Sequence, residues 1–524
     1  MFVAVTRKER TMTAQEITAP QLRDYQIDIV QQIFDRWFNG HNSVAVQLPT
    51  GAGKTIIFTA VANEFIAMGE PVLVIAHRTE LITQAASKLE TVTDLPIGII
   101  KSGIKPNPDC LIQVASIQTL VRRNPPPASL VIFDEAHHCH SKSYATVMRH
   151  YRERGAYILG CTATPARTDG RGLRYLYSGT PGFDVLIKGS SVRELIEKKY
   201  LAPFKIYSPS NFIDAANAKI RTTGGDYNQK QLADLVEKTL IIGDAVDTWR
   251  QHAYLKRTVL FAVSVKHSKE LAQGFRDAGI PAMHLDGKTP KKERLALLSA
   301  FEQGQILVLC QHSIVTEGVD IPGIEAIQLV RPTKSLIVWF QAIGRALRPA
   351  EGKETAIIID HTDTHLNLPW PDDEISWSLD PISLKGSKWS IGCPECHHVF
   401  RPVGGERDRC LATCPSCNVK FTFETETSGK KLKRLKVVEI VPANFAEFDT
   451  EYDERKLYIV QQLIDFSELQ GYQKGWVYHQ LKELPELELS LGDWREIARR
   501  LGYKAGWGWY KWKEMQEFMG DEAA

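Results

Sequence analysis

Residues 48–55 read LPTGAGKT, and residues 130–138 read LVIFDEAHH. The first is a Gly-rich turn ending in Lys-Thr; the second is an apolar strand closed by two adjacent carboxylates. Such a turn lets backbone N–H groups cradle phosphates, with Lys54 reaching the β/γ oxygens and the Thr55 hydroxyl reaching Mg2+. Thr50, Gly51, Ala52 and Gly53 form its wall, and Lys54-Thr55 open a helix whose N-terminus favours anions. Asp134 is then placed to hold the metal through its shell, and Glu135 to orient or deprotonate the attacking water. One departure is visible: a strict G-x-x-x-x-G-K-T loop has Gly where this chain has Leu48. The two stretches together predict ATP hydrolysis.

Outward from these stretches, short apolar runs alternate with helical patterns. VAVQLP (44–49), PVLVIAH (71–77), CLIQVAS (110–116), LVIFDE (130–135) and YILGCTAT (157–164) read as buried strands of a parallel sheet. The alternation resumes with TVLFAVS (258–264), PAMHLDG (281–287), ILVLCQ (306–311), AIQLVRP (326–332) and TAIIIDH (355–361). Two consecutive α/β domains are expected. The chain divides into a flexible extension over 1–20, the first domain over 21–195 and the second over 196–365. A Pro-, Gly- and acid-rich linker over 366–388, a cysteine-bearing segment over 389–424 and a basic, Trp/Tyr-rich region over 425–524 follow.

At 524 residues, 43% hydrophobic and 24% charged, the composition is that of an ordinary globular protein of two to four domains. No apolar run approaches the ~18 residues of a membrane span. The N-terminus lacks the apolar core and cleavage site of a secretory signal, so a cytoplasmic protein is expected. A net charge of +2 means that any nucleic-acid surface must be local.

Five of the nine cysteines crowd into one stretch. CPEC (393–396) and CPSC (414–417) supply Cys393, Cys396, Cys414 and Cys417 from two tight turns, the spacing of a four-cysteine zinc ribbon. Cys410 reads as a spare thiol, with His397 and His398 as weaker alternative ligands. Redox-active dithiols are the competing reading, disfavoured because C-x-x-C would then open a helix in a βαβ unit. Lys430, Lys431, Lys433, Arg434 and Lys436 follow, either a solvated strand face or a backbone contact to nucleic acid. In the tail, GYQKGWVYHQLKE (471–483) repeats as GYKAGWGWYKWKE (502–514), giving rings that either stack bases or staple small helical hairpins. The run His137, His138, Cys139, His140 invites a metal, but adjacent side chains diverge, so polar coupling across a cleft is the better reading.

Taken in order, the motifs of the two α/β domains resemble the superfamily 2 helicases. LRDYQ (22–26) resembles the adenine-recognition motif, AHRTELITQ (76–84) motif Ia, ASIQTL (115–120) the next nucleic-acid segment and CTATPARTDG (161–170) motif III. SIVTEGVDIP (313–322) resembles motif V and QAIGRALRP (341–349) motif VI. With its cysteine cluster the chain is most similar to bacterial RadD-type DNA helicases, with phage-type and XPB-like DNA helicases close behind. The resemblance implies two tandem RecA-like domains, ATP, Mg2+ and Zn2+ as cofactors, and DNA as partner, with RNA left open. Repair or single-strand-binding proteins are further expected partners. It implies adenine contacts at Arg23, Tyr25 and Gln26, nucleotide contacts at Gly318 and Asp320, and nucleic-acid contacts at Arg78, Gln118, Thr119, Arg167, Asp286, Gly287 and Thr316. Gln341, Arg345 and Arg348 fall on one helical face, where a cation can meet the transferring phosphoryl group. The expected function is an ATP-driven helicase on forked or branched DNA in repair or recombination. A duplex translocase without unwinding, an RNA helicase and a non-catalytic recruitment module are the alternatives.

Overall fold

A computed structural model describes residues 22–77, 79–166, 170–209, 218, 220–223, 225–236, 241–312, 321, 323–362, 364–381, 390–401, 409–428 and 431–441. It further describes 460–461, 463–464, 475–482, 489–503, 508, 511–513 and 515. The chain forms two compact units that divide between Lys388 and Trp389.

The first unit holds two lobes, each built on a parallel sheet. The first lobe contains β1 (Ser43–Gln47), β2 (Val72–Ala76), β3 (Ile97–Ile100), β4 (Ile112–Ser116), β5 (Leu130–Asp134), β6 (Tyr157–Thr162) and β7 (Val185–Lys188). Their order is β3-β4-β2-β5-β6-β1-β7, with every pairing parallel. Strands β1, β2, β4 and β5 are buried along their whole length, which is why they read as continuous apolar runs. The second lobe has β8 (Phe204–Tyr207), β11 (Thr258–Phe261), β12 (Ala282–Leu285), β13 (Val308–Gln311), β14 (Ala326–Leu329) and β15 (Ala356–Asp360), with a small hairpin of β9 (Thr222–Thr223) and β10 (Asp226–Tyr227) after β8. The order is β12-β13-β11-β14-β15-β8, again parallel. These are two tandem RecA-like domains.

Two helices border the candidate site. Lys54–Ala67 leaves the phosphate loop after β1, and Leu336–Ala346 follows β14. The second is capped by Ser335, whose side chain accepts from the Val338 N–H.

The stretch read as a linker packs into the same unit. The Trp339 indole donates to Pro369 O (2.9 Å) and the Trp370 indole to His365 O (3.0 Å). Leu379 enters the first-lobe core beside Leu173, Leu176 and Phe183. The Arg174 guanidinium forks onto Asp380 at 2.7 and 3.2 Å. Residues 364–381 therefore form a strap on the motor, and its three anchoring side chains, Trp370, Trp377 and Leu379, have no helical or strand period that composition would reveal.

Among its described residues the second unit has two small cores. One gathers Ile391, Phe400, Ala412 and Phe421 around Cys393 and Cys414; the other gathers Val477, Tyr478, Trp494, Ile497 and Leu501. Strands β16 (Ile391–Gly392) and β17 (His398–Phe400) pair, as do β18 (Arg409–Thr413), β19 (Lys420–Ser428) and β20 (Lys431–Val441).

Candidate active site

The phosphate loop joins β1 to its helix at the carboxyl edge of the first sheet. Gly51 (φ 88°) and Gly53 (φ 83°) are both left-handed, a conformation that costs an L side chain and costs glycine little. A β-carbon on Gly53 would stand 2.5 Å from Gln26 Nε2, so the loop is also closed sterically from the side of Gln26.

Opposite the loop, β5 delivers Asp134 and then turns sharply. Glu135 sits at φ 51°, ψ 57°, a strained position for a glutamate of the kind that clusters at reactive sites. Its Oε1 is 3.9 Å from Lys54 Nζ. Burial raises the Asp134 pKa to about 6, the Glu135 charge adds to the rise, and Lys54 opposes it. Two carboxylates facing one lysine leave an excess of negative charge, which suits a divalent cation. His137 Nδ1 lies 3.3 Å from Glu135 Oε2 and 3.1 Å from Thr162 Oγ1. Thr162 Oγ1 in turn accepts from the Thr164 N–H at 3.1 Å. The His137–Thr162 contact thus joins the acidic turn to the T-A-T segment.

At the start of the helix Asp24–Phe38, Tyr25 O–H donates to Ala52 O (2.7 Å) and Gln26 Nε2 donates to the same oxygen (3.3 Å). Gln26 Oε1 accepts from the Arg23 N–H (3.0 Å). The amide therefore braces the phosphate loop, and its oxygen retains one acceptor lone pair. The Arg23 guanidinium lies 4.5 Å over the Tyr200 ring, and Tyr25 packs on the same ring at 5.4 Å. Tyr200 carries no motif; the turn after Val192–Glu197 brings it there, so sequence spacing offers no signal for it.

The arginine helix closes over the loop from the second lobe. A β-carbon on Gly51 would meet Gly344 O at 3.2 Å and Arg348 Cγ at 3.3 Å. Gln341 and Arg345 are buried on the same helix. Thr50 Oγ1 and Gln341 Oε1 are buried with no hydrogen-bond partner among the described residues. A cleft between the lobes is lined by Gln47, Thr50, Lys188, Gly344, Leu347 and Trp377.

The first lobe matches a family model described as "Type III restriction enzyme, res subunit" over residues 19–167, and the second a "Helicase conserved C-terminal domain" over 237–350. A "51.5 kDa protein" of a Lactococcus phage is 33% identical over 395 residues, covering 74% of this chain and 80% of its own. The chain belongs to the superfamily 2 helicases. The "Putative ATP-dependent helicase IRC3" of Saccharomyces cerevisiae is 32% identical over 367 residues, which are 66% of this chain and 52% of that one. The "DNA 3'-5' translocase XPB2" of Sulfurisphaera tokodaii is 27% identical over 379 residues, 64% of this chain and 81% of its own. This helicase thus spans most of the phage relative and about half of the yeast one.

As a member of this family it is an ATP-hydrolysing enzyme, and the expected residues distribute over its site unevenly. Lys54, Asp134 and Glu135 converge, with Thr50 to Thr55 forming the loop and Arg348 lying against it. Gln118 and Thr119 open the short turn after β4, where Gln118 Nε2 donates to His77 O (3.1 Å) at the end of β2. The Asp286 carboxylate accepts from the N–H groups of Lys288 (2.8 Å) and Thr289 (3.0 Å), and Gly287 and Lys288 are the exposed residues of that turn. Arg78, Arg167, Thr316, Gly318 and Asp320 lie outside the described residues. Among the described residues no helix is long and apolar enough to cross a membrane.

In the second unit the four cysteines converge, their sulfurs within 4.8 Å of one another. Cys393–Cys417 and Cys396–Cys414 are 3.6 Å apart, close to the roughly 3.8 Å edge of a tetrahedron with Zn–S bonds of about 2.3 Å. The two turns are built alike. The His397 N–H donates to Cys393 O and the Asn418 N–H to Cys414 O, each at 2.9 Å, and both residues are left-handed, at φ 56° and 59°. The His398 and Val419 carbonyls accept from the first cysteine of each turn. His397 is thus used for turn geometry. The Cys410 side chain lies outside the described residues.

In the strand register Lys436 stands opposite Glu424 and Arg434 opposite Glu426, while Lys431 stands opposite Ser428. In the tail, Tyr503 and Trp512 pack against the small helical core, and Lys511 Nζ sits 3.9 Å over the Tyr478 ring. These two rings staple; Tyr472, Trp507 and Trp509 lie outside the described residues, as do Lys430 and the Trp476 side chain.

Proposed function

We propose that this helicase is a DNA motor that acts on forked or branched DNA in repair or recombination. What carries the reading is the contact between the arginine helix and the phosphate loop. Because Gly344 and Arg348 reach Thr50 and Gly51 from the other lobe, the cation that assists hydrolysis arrives only with lobe closure, and nucleotide state becomes lobe motion. DNA is favoured by the name of the Sulfurisphaera tokodaii relative and by the T-A-T-P-x-R form of residues 162–167.

In this reading Lys54 holds the β/γ-phosphates, Thr55 and Asp134 hold Mg2+, and Glu135 takes the proton of the attacking water. Mg2+ supplies charge neutralisation on the phosphate oxygens. Arg345 and Arg348 meet the γ-phosphate, and Gln341 orients the water beside them. Arg23, Tyr25 and Gln26 receive adenine, with Tyr200 as the ring beneath. The nucleic-acid strand runs over Arg78, Gln118, Thr119, Arg167, Gly287 and Thr316, while Gly318 and Asp320 serve the nucleotide. Zn2+ is held by Cys393, Cys396, Cys414 and Cys417, fixing the ribbon. A DNA substrate implies the compartment that holds a bacterial or phage genome.

The test is ATPase stimulation across single-stranded, duplex and forked DNA and RNA, with strand displacement measured in parallel. Strongest stimulation by forked DNA with displacement is expected. Stimulation by duplex without displacement would make the protein a translocase, and stimulation by RNA alone would overturn the DNA assignment.

A further inference from the structure

Beyond the arginines themselves, the turn that carries Arg348 is held by a lysine that no motif contains. Lys353 Nζ donates to Ile324 O (2.7 Å), to Arg348 O (2.9 Å) and to Ala346 O. Ala346 ends the arginine helix, so its carbonyl is one of the four acceptors that a helix leaves open at that end. The carbonyl between the two, Leu347 O, accepts from the Ala202 N–H at 2.8 Å. Ile324 stands just before β14, after the segment read as motif V.

We propose that Lys353 is a positioning residue for ATP hydrolysis: it clamps the Ala346–Arg348 turn to the start of β14 and so fixes Arg348 against the phosphate loop. The inference rests on reading Arg345 and Arg348 as γ-phosphate contacts. A lysine at a helix C-terminus has a bland use, complementing the helix dipole. Here, however, the same ammonium also binds a carbonyl of another segment, which a dipole partner need not do. A displacement of about 1 Å at a reacting group costs on the order of 100-fold in rate, so the clamp has leverage.

The surroundings make the clamp sensitive to pH. Burial pushes the Lys353 ammonium down to about 8; Glu325 opposes this, while Arg257, Lys256 and Arg348 add to it. Arg257 is itself held by Glu325 (3.3 Å) and by Glu302 O (2.8 Å). A deprotonated lysine has two N–H donors for three carbonyls, so one contact is lost as pH rises past that value.

The experiment compares Lys353→Met, Lys353→Arg and Arg348→Ala in the full chain with saturating DNA. Lys353→Met is expected to lower kcat by roughly 10- to 100-fold while the KM for ATP stays within about two-fold, and Lys353→Arg to recover part of the loss. Adding Lys353→Met to Arg348→Ala should cost little more, because the lysine acts through that arginine. Wild-type kcat should fall as pH rises through about 8, and Lys353→Arg should lose that limb. If Arg348→Ala keeps kcat, the arginine reading fails. If Arg348→Ala loses kcat while Lys353→Met keeps it, only the clamp fails. Should Lys353→Met not fold, a wild-type kcat flat from about pH 7 to 9.5 overturns the proposal.

Discussion

Gly344 of the arginine helix and Thr50 of the phosphate loop lie so close that a β-carbon on the glycine would stand 2.4 Å from the Thr50 Cβ. Only a residue without a side chain lets the second lobe seat on the loop. Gly344→Ala favours the helix itself by about 1 kcal/mol, so any loss must come from the lobe contact. Overpacking of this kind costs about 1–3 kcal/mol, and it falls on the closed state alone. DNA-stimulated kcat should fall about ten-fold or more while the melting temperature holds within a few degrees. A variant with wild-type turnover would show that the lobes hydrolyse ATP without this contact.

Lys54→Ala and Glu135→Gln should both abolish turnover, yet part in binding. In the proposed reading the lysine supplies the phosphate cation, so its loss should weaken ATP. The glutamate there serves the attacking water, so its amide should keep ATP and trap a DNA-bound closed state. Equal loss of ATP affinity in both would contradict the assigned roles.

Asp134 sets a pH signature. It is an acid with its folded pKa raised from 3.8 to about 6, so the metal-free folded state binds its proton more tightly than the unfolded chain does. The stability this group lends is therefore present at low pH and lost as pH rises from about 4 to 6. At neutral pH Asp134→Asn should be more stable than wild type without metal, by on the order of 1–3 kcal/mol. Mg2+ affinity should fall below about pH 6, as the proton competes for the carboxylate. Matching pH profiles of metal-free unfolding for the two proteins would remove the assignment.

The parts legible from sequence are those that bury continuous apolar strands or pack chemistry into consecutive residues. All ten strand runs that were read appear, from Ser43–Gln47 to Ala356–Asp360. Ile97–Ile100, Val185–Lys188 and Phe204–Tyr207, each four residues long and partly exposed, escape that reading. Tyr200 and Lys353 escape for another reason: each acts through partners brought near by the fold. The strap hides its anchors among prolines and acids, whose composition says loop whether the loop is free or packed.

That strap changes where the motor ends. A chain stopped after 362 loses Trp370, Trp377 and Leu379, and burying one such side chain is worth about 1.5–3 kcal/mol. A chain stopped after 388 keeps all three. The longer form should melt as one cooperative unit with ATPase intact, and the shorter should be less stable by several degrees or more. Equal melting temperatures would show that the strap contributes nothing to the motor fold.

The cysteine cluster gives the last test, because its chemistry and its small core make different demands. Ile391, Phe400, Ala412 and Phe421 bury too little to hold the ribbon alone, whereas a structural zinc contributes about 10–16 kcal/mol of apparent binding free energy. One Zn2+ per chain is expected, and Cys393→Ser or Cys414→Ser should release it. The ribbon should then become protease-sensitive between residues 390 and 428, while the unit ending at Lys388 keeps its melting transition and DNA-independent ATPase. Metal analysis with limited proteolysis reads both halves. A zinc-free protein whose ribbon resists protease would end the metal assignment, since sulfurs 3.6 Å apart would then be held by something other than a shared ion.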